Sequence, residues 1–222
     1  FRSCTVLRGG KVTGVCNPAQ ESNASLSRMM IGAEPPALQH QERTPGHVLF
    51  QTVNLSLAKE DQFGVDLQGI DLEVRSGEVV GIAGVSGNGQ RELLYALSGE
   101  DTRAPAQAIQ LLQKEVGHWD AHARRQAGLH FVPEERLGRG AVPSLSLAQN
   151  MLLSRSEAIR PSGWIDTQVL QAQAQGVIDQ FHVKANGAHA AAQSLSGGNL
   201  QKFIVGREID AKPKVLLVSQ PT

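Results

Sequence analysis

The order of the predicted elements makes this an α/β protein with a mostly parallel sheet, because strands alternate with helices along most of the chain. Two apolar runs anchor that reading. Val79, Val80, Ile82 and Ala83 form one, which ends in a glycine loop, and Val215–Val218 form the other. Runs without polar alternation are typical of strands covered on both faces, as in parallel sheets. After the first run, Leu93, Leu94 and Leu97 recur at helical spacing.

The elements follow in order. Cys4, Val6 and Val12 alternate with polar residues about Gly9-Gly10, which predicts a small hairpin. Pro18 begins a stretch that turns helical near Glu21, with Leu26, Met29, Met30 and Ile31 on it and Gly32 as its stop. Pro35, Pro36, Gln39, Gln41 and Pro45 mark a linker. Strands are then expected over 48–57 and 70–74, with a turn at Ser76-Gly77 and a helix from about Gln90. Further strands fall near 108–112 and 129–132. Helices fall at 120–126, 147–153 and 167–181, the last capped by Thr167 or Asp166. A final helix follows Gly198.

Composition narrows the function. Twenty-one basic and 21 acidic residues cancel among 222, and aromatics make up 4%. Neither a basic face nor stacking platforms for nucleic acid are suggested. No apolar run approaches the ~18 residues of a membrane helix, and no signal peptide is evident. Cys4 and Cys16 are too few for a disulfide framework and suit a reducing cytosol, although the two could pair.

Three motifs carry chemistry. Gly84-Val85-Ser86-Gly87-Asn88-Gly89-Gln90-Arg91 lies between a predicted strand and a predicted helix. Such a loop points backbone N–H groups at a phosphate, and the helix adds its positive end. The full pattern needs Lys and then Ser or Thr after the last glycine. Gln90 and Arg91 stand there, so the cation and the Mg²⁺-binding hydroxyl are both missing. The second motif, Leu195-Ser196-Gly197-Gly198-Asn199-Leu200-Gln201-Lys202, places a serine and two glycines at the mouth of a helix, which forms another anion site. The third is the apolar strand Val215–Val218 followed by Ser219-Gln220-Pro221-Thr222. In phosphate-loop ATPases such a strand ends in a carboxylate that holds Mg²⁺. Neither Ser219 nor Gln220 can carry a negative charge.

Together these motifs resemble an ATP-binding cassette of the ABC family. The octapeptide from Leu195 is similar to the signature of importers for simple sugars and nucleosides. In those families one subunit carries two cassettes in tandem. Val132-Pro133-Glu134-Glu135-Arg136, Gly138-Arg139-Gly140 and the stretch 146–150 resemble the second of them. The resemblance implies a phosphate-loop core, a small antiparallel β part and a helical subdomain carrying the signature. It implies that residues 1–33 are the tail of a first cassette, 34–47 a linker and 48–222 a second cassette that stops short of its last loops. It places Gly84, Ser86, Gly87, Asn88, Gly89, Gln90 and Arg91 at ATP. Glu134 stands at the position of the glutamine that senses Mg²⁺ and the membrane partner.

In the family two cassettes pair head to tail, so Ser196, Gly197, Gly198, Asn199 and Gln201 would complete the partner's site. Mg²⁺ is expected at that partner site. Four positions in two distant motifs, Gln90, Arg91, Ser219 and Gln220, have lost hydrolytic chemistry, and loss of even one transition-state donor costs about 100-fold in rate. The implied partners are the first cassette or a second copy, a transmembrane permease and, indirectly, a solute-binding protein, with no nucleic acid. The implied place is the cytoplasmic face of the cell membrane. The alternatives are a soluble ABC ATPase outside transport and a structural cassette that binds no nucleotide. His118, His122 and His130 read as surface or packing residues. Phe63 is a candidate for stacking on adenine, about two residues out of place.

Overall fold

The computed structural model describes residues 3–8, 10–32, 44–155 and 162–220. Gly9, most of the expected linker, Pro221 and Thr222 lie outside them. The chain divides into two compact units, Phe1–Arg43 and Thr44–Thr222.

In the first unit, β1 (Cys4–Arg8) pairs antiparallel with β2 (Lys11–Cys16). The helix α1 (Asn23–Ile31) begins with a reciprocal Ser22/Ser25 capping box and ends at Gly32 in the left-handed conformation, its N–H donating to Arg28. Thr13 donates its hydroxyl to the Met29 carbonyl at 3.0 Å, which ties the helix to the hairpin.

The second unit opens with a four-stranded antiparallel sheet of order β4-β3-β5-β6. Its strands are β3 (Val48–Leu57), β4 (Leu67–Arg75), β5 (Ile109–Leu111) and the short β6 (Lys114–Glu115). Phe50, Leu55, Ile109 and Leu111 are fully buried, together with Ala96 and Leu97 of α2 (Gln90–Ser98). Gly99 closes α2 at φ 88°, and a Cβ there would stand 2.8 Å from the backbone of Asp120 and Ala121, so only glycine lets α3 (Ala121–Gln126) approach. Buried Arg124 of α3 donates to the carbonyls of Ala96 and Leu97 at 2.5 and 2.8 Å, satisfying the end of α2. Burial pushes this guanidinium down to about 10.

A second core is helical. It joins α4 (Leu147–Asn150), α5 (Thr167–Gln180) and α6 (Gly197–Asp210) through Leu147, Met151, Leu170, Val177, Leu200, Phe203 and Ile204. Asp166 caps α5, accepting from Gln168 and Val169. Between the two cores, β7 (Leu129–Val132) and β8 (Val215–Val218) run parallel, Leu129 opposite Val215 and Val132 opposite Val218.

The sheet departs from expectation. Among the described residues β7–β8 is the one parallel pair, so the sheets are mostly antiparallel rather than mostly parallel. The run Val79–Ala83 forms no strand, and Val79 is 96% exposed. An apolar run reports that a segment favours burial. It does not supply the neighbouring strands that a parallel position needs on each side.

A buried charge network fastens β7 to α6. His130 Nδ1 lies 2.7 Å from Glu208 Oε2, and Arg207 contacts the other oxygen at 2.8 Å. An ionised carboxylate only accepts, so Nδ1 carries the proton. Arg207 also donates to the carbonyls of Asn150 and Gly140, at 2.9 and 3.1 Å. Burial alone would raise the Glu208 carboxyl, but the His130 hydrogen bond and the Arg207 charge outweigh it and bring it from 4.5 to about 2. A depressed carboxylate stabilises the fold fully above its unfolded value and loses that contribution as pH falls through the folded one. Glu208→Gln is therefore expected to cost about 3 kcal/mol at pH 7, from a shift of roughly two and a half pH units. It should also flatten the pH dependence of stability between 4.5 and about 2. Urea unfolding at a series of pH values measures both.

Candidate functional site

The glycine loop owes its shape to two left-handed glycines, Gly87 at φ 88° and Gly89 at φ 94°. Gly89 is the N-cap of α2 and offers no side-chain hydrogen bond to it. It is buried, and a Cβ there would meet Val65 at 3.4 Å and Leu67 at 3.5 Å, which holds the loop against the start of β4. The Gln90 side chain then folds back into the loop. Its Nε2 donates to the Val85 carbonyl at 3.0 Å, and its Oε1 accepts from the Asn88 N–H at 3.2 Å. A Cβ at Gly84 would lie 2.2 Å from that Nε2, so the amide sits inside the curl of the loop. Arg91 points away, paired with Glu92 at 3.2 Å and exposed.

A cleft of about 1110 Å³ extends from this loop. Gly84, Ser86, Gly87, Gly89, Gln90 and Arg91 line it, and so do Glu134, Ser219 and Gln220. The glycine loop, Glu134 and the end of β8 are thus brought to one cavity. β7 and β8 achieve this by running parallel, so that Glu134 and Ser219 emerge from the same end of the pair. The Ser219 N–H extends the ladder by donating to the Val132 carbonyl at 2.9 Å. Phe63 is 91% exposed and lines the same cleft.

The signature residues stand elsewhere. Ser196, Gly197, Gly198, Asn199 and Gln201 do not line that cleft. Ser196 is the N-cap of α6, but its hydroxyl accepts from Asn199 Nδ2 at 2.9 Å instead of capping the helix. Ser196, Gly197 and Gly198 are exposed, which leaves the first amides of a 14-residue helix turned to solvent. Such an end attracts an anion through its dipole and open N–H groups. Gln201 reaches back from α6, its Nε2 donating to the Gln220 carbonyl at 3.4 Å.

Sequence reasoning missed the brace between these two places. The loop from Glu134 to Gly140 closes on itself, Gly140 donating its N–H to the Glu135 carbonyl at 2.9 Å. Arg139 lies over the Tyr95 ring at 4.8 Å, bonds its hydroxyl at 3.1 Å and pairs with Glu100 and Glu135. Tyr95 belongs to α2 and Glu100 stands just past its Gly99 cap, so the loop is fixed to the helix after the glycine loop. On its other side Gly140 is held by Arg207, and a Cβ on Gly197 would come within 2.8 Å of Arg136 Nη1. The Gly-Arg-Gly triplet within this loop was a visible signal, but Tyr95 and Glu100, which tie Arg139 to α2, lie 44 and 39 residues upstream.

A family model described as ABC transporter matches residues 67–222. The chain is 33% identical to the nucleoside import ATP-binding protein NupA of Lactococcus lactis, over 98% of this chain and 43% of that protein. It is 37% identical to the glucose import ATP-binding protein TsgD13 of Haloferax volcanii, over 98% of this chain and 40% of the relative. With the ribose import ATP-binding protein RbsA of Chromobacterium violaceum it shares 35%, over all of this chain and 44% of the relative. The chain therefore spans less than half the length of these relatives. The solved dimer of the ATP-binding cassette MJ0796 in its post-hydrolysis state, with ADP and Pi, superposes with a TM-score of 0.62 at 18% identity, covering 78% of this chain and 75% of that one. A nucleotide-free cassette from an ABC transporter gives 0.60 at 18% identity, over 79% and 70%. At that identity the structures speak for the fold, and the family model and the relatives for the lineage: the chain belongs to the ABC transporter family, related to the ATP-binding proteins of ribose, glucose and nucleoside import.

Proposed function

We propose that this chain is the non-hydrolysing member of a pair of ATP-binding cassettes that drives import of a sugar or nucleoside. In this reading residues 1–33 end the preceding cassette, 34–47 link, and 48–222 form the second cassette. The pair docks on a transmembrane permease at the inner face of the cell membrane and serves it together with a solute-binding protein.

One contrast carries the reading. The glycine loop has its Asn88 amide and its interior taken by Gln90, whereas the signature helix keeps its N-terminal amides open. The loop does not fit Mg–ATP. It lacks the lysine, Arg91 replaces the hydroxyl ligand, and Ser219 and Gln220 offer no charge to a metal. The open end of α6 suits the γ-phosphate of ATP held by the partner cassette, where Mg²⁺ belongs as well. There, ATP supplies the phosphoryl group, and the task of Ser196, Gly197 and Gly198 is to hold anionic oxygen with fixed donors. Asn199 holds the Ser196 hydroxyl, and Gln201 ties α6 to the strand end at Gln220.

The Gln90 amide also favours a second reading, in which this cassette binds no nucleotide in its own loop and works through its signature alone. Gln90→Lys separates the two. A restored cation makes a charge-assisted bond worth roughly 1.5–3 kcal/mol, so ATP affinity for the chain should rise tenfold or more. Calorimetric titration reads that change. An unaltered affinity would mean that the loop cannot open to phosphate at all, and would favour the second reading.

Hydrolysis tests the trans role. A side chain at Gly198 meets no atom within 4 Å of its Cβ, so Gly198→Asp introduces charge without a local clash. In the complete tandem subunit with its permease, Gly198→Asp should lower ATP turnover by about 100-fold, the scale of one lost transition-state donor. Unchanged turnover would remove this signature from the working site.

A further inference from the structure

We propose that Cys4 and Cys16 form a reversible oxidation site, closing to a disulfide across the β1–β2 hairpin. The two residues are register partners at the open end of the hairpin, Cys4 on the first residue of β1 and Cys16 on the last of β2. Directly opposed residues of an antiparallel pair have Cα atoms about 4.5 or 5.5 Å apart, according to the kind of pair. Both spacings lie in the disulfide range of roughly 4.4–6.8 Å. Both thiols are free and partly accessible, so a small oxidant can reach them.

The surroundings give such a bond something to do. Among the described residues of the first unit, Val6 is the one buried apolar side chain, while Leu7, Val12, Val15 and Met30 are exposed. A two-stranded hairpin alone is marginal in water. A bond at the open end would fix the register that the turn at Gly10 sets from the other end. The bulge between Val6 and Leu7 would then lie inside a closed ring. Burial raises the Cys16 thiol above its usual range, with Cys4 and Glu21 adding to the effect, which keeps the thiol form at neutral pH.

The reagent class is a low-molecular-weight disulfide such as oxidised glutathione. One cysteine thiolate attacks a glutathione sulfur, forming a mixed disulfide and releasing one glutathione thiolate. The second cysteine thiolate attacks the protein sulfur of the mixed disulfide, forming the Cys4–Cys16 bond and releasing the second glutathione. Two protein thiols are oxidised, one glutathione disulfide is reduced, and the two thiol protons end on the two glutathione molecules.

The test equilibrates the whole chain with reduced and oxidised glutathione, traps free thiols with an alkylating agent and weighs the products by mass spectrometry. The expected product is the chain lighter by two hydrogen atoms, with neither thiol alkylated and no lasting glutathione adduct. Cys16→Ser should leave Cys4 as a stable glutathione adduct. Repeating the wild-type titration in concentrated urea should lower the equilibrium constant for the internal bond tenfold or more, because the register that brings the thiols together is lost. Accumulation of mono- or diglutathionylated wild type, or a constant that urea leaves unchanged, would overturn the proposal.

Discussion

Buried Glu208 sets the relation between the elements that carry chemistry in this cassette. It sits in α6, eleven residues below the signature glycines, and grips His130 in β7, which leads to Glu134. Its neighbour Arg207 holds the Gly140 and Asn150 carbonyls. Through these bonds the pitch of the signature helix, the end of the parallel pair and the loop from Glu134 to Gly140 are one assembly. Taking one partner away would leave a buried charge uncompensated, which costs several kcal/mol and is far more than the net worth of an intact pair.

From that assembly the bracing runs to the glycine loop. Arg139 binds Tyr95 and Glu100 at the far end of α2, and α2 starts at Gly89. A shift of α2 is therefore felt at Gly140, and through Arg207 at α6. What an anion meets differs at the two helix starts. The start of α2 is stoppered by the Gln90 amide, while the start of α6 has a serine whose hydroxyl is occupied by Asn199 and amides that face outward. The same physical device, a helix N-terminus behind glycines, is closed in one place and open in the other.

Much of this was legible in the sequence. The hairpin, α1 with its Gly32 stop, β3, β7, α5 and β8 follow from alternation, capping residues and apolar runs, because each of those signals is local. The run Val79–Ala83 was not legible in the same way. Its apolar character was plain, yet whether it joins a sheet depends on strands far away in sequence. Gln90, Arg91, Ser219 and Gln220 could be read directly, and the structure brings all four to one cleft. The return of the Gln90 amide into its own loop could not, since it requires the curl that Gly87 and Gly89 create. Glutamine carries both a donor and an acceptor, and that was the one available hint. Arg139 and Glu208 were hidden for a related reason: Glu100, which pairs with the first, and His130, which pairs with the second, stand 39 and 78 residues away.

The central claim of the proposed function is that the γ-phosphate of the partner cassette's ATP meets this cassette at its signature. The most direct measurement loads the complete tandem subunit with an ATP analogue bearing a photoreactive group on its γ-phosphate, then maps the cross-linked peptides by mass spectrometry. The account predicts label on the peptide containing Ser196, Gly197 and Gly198. Label confined to the glycine loop, with the signature peptide untouched, would contradict it.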